Sequence, residues 1–149
     1  MSLVHQFPSS LTGDAILRFL DRIDAENAAV GLFAGLDKAA YAERLAERAE
    51  GLLVTDDAMG AWQGAVFGYC NDARDCQAYI SFLGRVADAG AGTGRWLHDA
   101  FCALAKDRGM ESVRLETLKR NVRAVRFYRA LGYASVEDRG DRELLEIRL

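Results

Sequence analysis

The sequence predicts a mixed α/β domain, with a mostly antiparallel sheet of six to seven strands flanked by about four helices. Three observations carry this prediction. Segments with a 3.6-residue apolar period are separated by short β-rich runs. Residues 52–86 read as successive strands joined by tight turns, an antiparallel meander. A strand-helix-strand unit follows it, and such units are parallel and right-handed.

Each element has a local reason. Leu3 to Phe7 reads as a short opening strand. Asp14 precedes Ile16, Leu17, Leu20 and Ile23, an amphipathic helical stripe. A second helix is predicted from Asp37, as N-cap, to Gly51, with Tyr41, Leu45 and Ala49 on its buried side. Strands then follow at Leu52–Thr55, Gly60–Cys70 and Cys76–Val86, the last two joined by the turn Asn71–Asp75. Gly94–Arg108 reads as a helix stopped by Gly109, because Leu97, Ala100, Phe101 and Leu104 share a face. Ser112–Leu118 is a strand, and Asn121 is the N-cap of a helix that ends at Gly132. Tyr133–Glu137 and Glu143–Leu149 close the chain as a pair of strands.

Composition bounds the function. The chain has 149 residues, half of them apolar, with one Pro and a formal net charge of -3. A chain of this size buries roughly 70 % of the surface it exposes when unfolded, so residues 1–149 read as one domain that needs no metal or disulfide staple. The mild acidity argues against nucleic acid or an anionic membrane as partner. No apolar run approaches the ~18 residues of a membrane span, and MSLVHQFPSS lacks the regions of a signal peptide, so the expected location is the cytoplasm. Cys70, Cys76 and Cys102 have neither zinc-site spacing nor an even count, and read as free thiols.

The segment Ala89–Leu97, AGAGTGRWL, lies between a strand and an amphipathic helix. Glycines at 90, 92 and 94 allow a tight backbone turn, and the helix N-terminus behind them adds unsatisfied donors and about half a positive charge. That combination suits phosphate oxygens. A P-loop requires Lys after its last glycine, which no glycine here has. A Rossmann loop requires GxGxxG, whose third position is Leu97 or Arg95 here, in a segment that follows a meander.

A second segment is Asn121–Tyr133, NVRAVRFYRALGY. Together the two resemble the signatures of the GCN5-related N-acetyltransferase family, Q/R-x-x-G-x-G/A at a strand-to-helix turn and then N-x-x-A-x-x-F-Y-x-x-x-G-F/Y. The second is matched at Asn121, Ala124, Phe127, Tyr128, Gly132 and Tyr133. The first departs from the pattern at its head, where Ala89 stands in place of Arg or Gln, and Arg95 is the nearest replacement charge. The resemblance is strongest from Cys70 to Tyr133.

The resemblance implies this family's fold and acetyl-CoA as cosubstrate. Leu83, Gly84, Arg85 and Val86 would hold the pantetheine arm as an added strand. Gly90, Ala91, Gly92, Thr93, Gly94 and Arg95 would hold the pyrophosphate. Asn121, Ala124, Phe127 and Tyr128 would flank the arm and thioester. Five cations and no acid occupy residues 119–129, leaving the other 138 residues with a net of -8, which suits a polyphosphorylated ligand.

The implied chemistry is direct acyl transfer from a thioester to an amine, without a metal. Tyr128 matches the family's acid for the departing thiolate, and a backbone N–H near Leu83 or Gly84 would stabilise the oxyanion. For the base, Glu116 is the best carboxylate candidate. Tyr79 stands where some relatives carry Glu, and Asp72 and Asp75 lie in the hairpin turn. His98 is expected to face solvent or a seam and His5 lies in a terminal strand, so neither is a candidate. Residues 1–60 hold ten acids against five Lys or Arg, which mildly favours a cationic amine as acceptor. The expected partner is a small-molecule amine, with at most a second copy of the chain. A protein or peptide acceptor and a non-catalytic CoA-binding module are the alternatives.

Overall fold

The computed structural model describes residues 2–6 as backbone, and residues 11–56 and 60–149 in full. Phe7, predicted to end the first strand, and the side chain of His5 lie outside the described residues. In chain order the elements are β1 (Ser2–Gln6), α1 (Gly13–Glu26), α2 (Lys38–Arg48), β2 (Glu50–Thr55), β3 (Trp62–Tyr69), β4 (Gln77–Arg85), α3 (Thr93–Asp107), β5 (Ser112–Leu118), α4 (Val122–Leu131), β6 (Ala134–Arg139) and β7 (Arg142–Arg148).

The seven strands form one sheet in the order β1-β2-β3-β4-β5-β7-β6, the mixed, mostly antiparallel sheet that the sequence predicts. Only β4 and β5 pair in parallel, across the α3 crossover. One face carries α1 and α2, whose Ile16, Leu20, Ala42 and Leu45 pack with Leu53, Ala65 and Phe67. The other carries α3 and α4, where Leu97, Phe101 and Tyr128 pack with Val66, Ile80, Val113, Leu115 and Leu145. Phe67 and Phe101 are the largest fully buried side chains, one on each face, and each contributes about 1.5–3 kcal/mol by leaving water. Helix α3 lies close on β3 because Gly68 leaves room. A Cβ there would sit 2.6 Å from Phe101 and 2.5 Å from the Tyr79 carbonyl.

Most boundaries fall within two residues of the predicted ones, with informative exceptions. α1 is capped by Thr12, whose hydroxyl accepts from the Ala15 N–H, one turn earlier than the apolar stripe suggests. α2 begins at the predicted Asp37 cap but stops at Arg48. Gly51 is a strand residue beneath the Phe67 ring, where a Cβ would lie 2.7 Å from Cε1, so it is there for close packing and not as a helix stop. His98, expected to face solvent or a seam, is 3 % exposed and sits in the seam between α3 and Tyr133. Its Nε2 is 2.8 Å from the Tyr133 hydroxyl, a partner that satisfies the ring and makes its burial tolerable. The three cysteines are free thiols, as read from the sequence. No helix among the described residues is long and apolar enough to cross a membrane.

Candidate active site

The site originates in an interruption of the sheet. β4 and β5 pair only over Gln77–Ile80 and Ser112–Leu115, and beyond that point they diverge. On its other edge β4 stays paired with β3, through Phe82, Leu83, Gly84 and Arg85. Its edge toward β5 is therefore open along the same residues. A register shift opposite Ser81 inserts one extra residue into β4, the mark of a β-bulge. Alternation is reset there. Ile80 faces the α3 side, Phe82 joins the α1/α2 core, and Leu83 returns to the α3 side.

A cavity of about 870 Å³ fills this divergence. It brings together twelve of the predicted site residues: Tyr79, Leu83, Gly84, Arg85, Gly92, Gly94, Arg95, Glu116, Asn121, Ala124, Phe127 and Tyr128. The remaining four stand back from it. Val86 is fully buried in the α1/α2 core. Thr93 is buried and shapes the glycine loop, its hydroxyl donating to the Gly90 carbonyl at 2.7 Å. Gly90 and Ala91 are exposed and do not line the wall. Asp72 and Asp75 lie at the far end of β4. Asp72 Oδ1 accepts the N–H groups of Arg74 and Asp75 and so closes the hairpin turn.

Three helices begin with a side-chain cap, from Thr12, Asp37 and Asn121. α3 has none. Its N-cap is Gly92, at φ +87°, a conformation that costs an L side chain about 1–2 kcal/mol. The first helical bond is Trp96 N–H to the Gly92 carbonyl, and Thr93 N–H turns back to Gly90. The N–H groups of Gly94 and Arg95 have no backbone partner among the described residues. They are the orphan donors of a helix start, together with its positive dipole end.

The basic stretch is divided by the fold. Lys119 pairs with Asp138 (2.7 Å) and Arg129 with Glu143 (2.8 Å). Arg120 reaches across the molecule, its Nε donating to the Val30 carbonyl at 2.6 Å and its Nη2 to that of Gly31 at 3.1 Å. Arg123 and Arg126 line the cavity and have no carboxylate partner among the described residues. Of the five cations, these two are available to a ligand.

Tyr128 is 8 % exposed, stacks edge-on against Phe127 and Tyr133, and lines the cavity. Burial pushes its phenol well above the ordinary tyrosine range. Tyr79 is pushed up too, first by burial and then by the Glu116 carboxylate, the wrong direction for a base. Glu116, one quarter exposed, is 3.3 Å from the Arg139 guanidinium.

The sequence reading missed Ser81, Phe82, Leu115, Arg44 and Arg142 as wall residues, and had Arg123 and Arg126 only among the five undivided cations of residues 119–129. Tyr41, which the sequence places on the buried side of α2, and Phe33 belong to the same wall. Both line the cavity, whereas Trp62 packs against Phe19 at 5.4 Å between ring centroids. Tyr41 and Ser81 hydroxyls are 2.5 Å apart, and the Tyr41 hydroxyl is 3.1 Å from the Ser81 carbonyl. The phenol therefore donates to the carbonyl while the serine hydroxyl donates to the phenol. The one signal in the sequence is the adjacent apolar pair Phe82-Leu83, where the alternation of β4 breaks.

Solved structures share this architecture along almost the whole chain. An acetyltransferase of the GNAT family from Staphylococcus aureus Mu50 superposes with a TM-score of 0.79 at 11 % identity, covering 99 % of each chain. The GNAT domain of S. lividans PAT gives 0.78 at 19 % identity, covering 97 % of this chain and 89 % of that one. PaiA N-acetyltransferase from Thermoplasma acidophilum, solved in complex with coenzyme A, gives 0.71 at 14 % identity over 100 % of both chains. At these identities the likeness is one of fold. No curated protein sequence matches the chain. The sequence model of the Acetyltransferase (GNAT) family does match, over residues 24–133, a span that holds the diverging strands, the glycine loop and the Asn121–Tyr133 motif, and the chain belongs to that family.

Proposed function

We propose that this chain is an acetyl-CoA-dependent N-acetyltransferase that transfers the acetyl group directly to the primary amine of a small molecule. The observation that carries the reading is the convergence on one cavity of an open strand edge, an uncapped helix N-terminus and a buried tyrosine. These suit the three parts of the cosubstrate. The open edge of β4 at Leu83–Arg85 fits the amide-bearing pantetheine arm as an added strand. The Gly94 and Arg95 N–H groups, with Arg123 and Arg126, fit the phosphates. Ala89 costs little in this reading, because the donors are backbone groups.

Tyr128 then gives its proton to the departing thiolate. Its raised proton affinity is matched to the task, because the dry surroundings that hold the phenol neutral also raise the proton affinity of the thiolate. A β4 backbone N–H at Leu83 or Gly84 would stabilise the oxyanion. Glu116 accepts the proton of the acceptor ammonium, and the neutral Tyr79 phenol beside it orients the amine or a water. The Arg120 clasp on Val30 and Gly31 ties the α1–α2 connection to the start of α4. That connection lines the cavity through Leu32, Phe33 and Leu36, a boundary that favours a small amine over a polypeptide laid in an open groove.

The test is free-thiol release from acetyl-CoA across an amine panel, alongside calorimetry with CoA. Binding with turnover is the expected result. Binding without turnover of any amine would leave a CoA-binding module, and no binding at millimolar CoA would overturn the reading.

A further inference from the structure

We infer that the acceptor carries a carboxylate as well as its amine, on an apolar or aromatic body, and that Arg142 and Arg44 select it. This rests on the acetyltransferase reading of the cavity.

Strand register divides the cavity into two sides. Directly paired residues share a face of the sheet, which places Glu116 with Leu144, Leu118 with Arg142, and Arg139 with Arg142 on one face. Ion pairs Arg139–Glu116 and Arg114–Glu146 lie on that face, opposite the α3/α4 core of Leu115, Leu145 and Tyr128. It is the side covered by α1, α2 and their connection. Of the described acids in residues 1–60, whose excess favoured a cationic acceptor, Glu26 alone lines the cavity.

Each acid near the site is accounted for. Asp21 and Asp24 hold Lys38 at 2.7 and 2.9 Å, and Asp37 caps α2. Glu26 accepts from Arg22 and from the Ala87 N–H at 2.9 Å. Glu116 is matched by Arg139.

On this side of the cavity two guanidinium groups are left over. Arg142 is half-buried in the cavity wall, and Arg44 stands 5.8 Å from the centre of the Tyr41 ring. Neither has a carboxylate partner among the described residues. Each stands near one of two neighbouring phenols. The field of Arg44 reaches Tyr41 and that of Arg142 reaches Tyr79, while Tyr79 itself acts on Tyr41. Arg142, half-buried without a counter-charge, is unfavourable as it stands, while Arg44 is exposed and adds its charge from the rim; a planar carboxylate is what the guanidinium fork binds best.

Geometry supplies the rest of the acceptor. Glu116 and Arg142 are diagonal neighbours on β5 and β7, so their Cβ atoms are about 7–8 Å apart. Side chains of that reach can straddle an ammonium and a carboxylate on one small molecule. Facing them, Phe33 stacks on Phe82 at 6.1 Å between centroids and tilts against Tyr41 at 6.4 Å, with Leu32 and Leu36 beside them. Such a wall takes an apolar or aromatic side chain.

Matched pairs test the inference: L-phenylalanine against 2-phenylethylamine, and L-leucine against 3-methylbutylamine, each followed by thiol release. The carboxylated member is expected to have at least a tenfold higher kcat/KM, expressed in KM. In Arg142→Gln the ratio collapses toward one, because KM for the carboxylated member rises roughly tenfold to hundredfold while its partner changes far less. Arg44→Gln moves the ratio in the same direction by less, and Arg142→Lys falls between wild type and Arg142→Gln. If a variant fails to fold, calorimetry on the wild-type protein with CoA and N-acetyl-L-phenylalanine, against N-acetyl-2-phenylethylamine, decides the matter by whether the acid binds tighter. Equal or better turnover of the decarboxylated members would overturn this inference and leave the acetyltransferase reading standing. No turnover of any amine would overturn both.

Discussion

The cavity has two walls of different making. The α3/α4 side presents mainly backbone: an uncapped helix start at Gly92 and an open strand edge, with one tyrosine from a short motif. The α1/α2 side is built from side chains drawn from distant parts of the chain, Phe33, Tyr41, Ser81, Glu116 and Arg142. The first wall suits a cosubstrate whose shape is constant, the second an acceptor that varies. Backbone donors tolerate a change such as Ala89. Side-chain walls change specificity with every substitution.

The largest effect that would break this division is expected from Gly92→Val. A β-branched residue at φ +87° adds about 1–3 kcal/mol of strain and displaces the donor loop, so CoA affinity measured by calorimetry falls a hundredfold or more. Retained affinity would show that the backbone is not the recognition element.

Next comes Tyr128→Phe, on the same wall but in the chemistry. It should lower kcat about a hundredfold while leaving the CoA dissociation constant nearly unaltered. Unaltered acetylation by this variant would remove Tyr128 as the acid.

On the other wall, Tyr41→Phe loses its two-way bond with Ser81. A loss of roughly 1 kcal/mol in denaturant unfolding is expected, with a several-fold rise in acceptor KM and none in that for acetyl-CoA. A rise in both would mean that the walls are not independent.

The smallest effect is one of pH. Burial lowers the His98 pKa, so the folded ring stays neutral where the unfolded chain has begun to bind a proton. Its contribution to stability is intact above the ordinary value near 6.5 and is lost as pH falls through that value toward the folded one. The melting temperature should drop between pH 7.5 and 5.5, and drop less in His98→Gln. An equal drop in the two proteins would place the acid sensitivity elsewhere.

Legibility followed the same division. Asn121 as N-cap, Gly132 as helix stop and the glycine loop before α3 were readable because each acts within a few residues of itself. Tyr128 came with its motif. The free cations did not. Five basic residues in one stretch look alike in a sequence, yet Lys119, Arg120 and Arg129 are held by Asp138, by Val30 and Gly31, and by Glu143. The burial of His98 depends on Tyr133, thirty-five residues away. The acidic balance of residues 1–60 could not be assigned to a site from the sequence, because Asp21 and Asp24 are held by Lys38 while Glu26 lines the cavity and accepts from the Ala87 N–H.

The sequence by itself determined the order and kind of the elements, the glycine loop and motif that line one side of the cavity, and the tyrosine that stands in it. These depend on periodicity, capping and backbone freedom, which act over a turn or two of chain. Only the tertiary structure decided where β4 and β5 part, which charges remain unmatched, and which aromatics face the acceptor. Those properties belong to pairs of residues far apart in the chain, and burial and charge pairing act on distance in space.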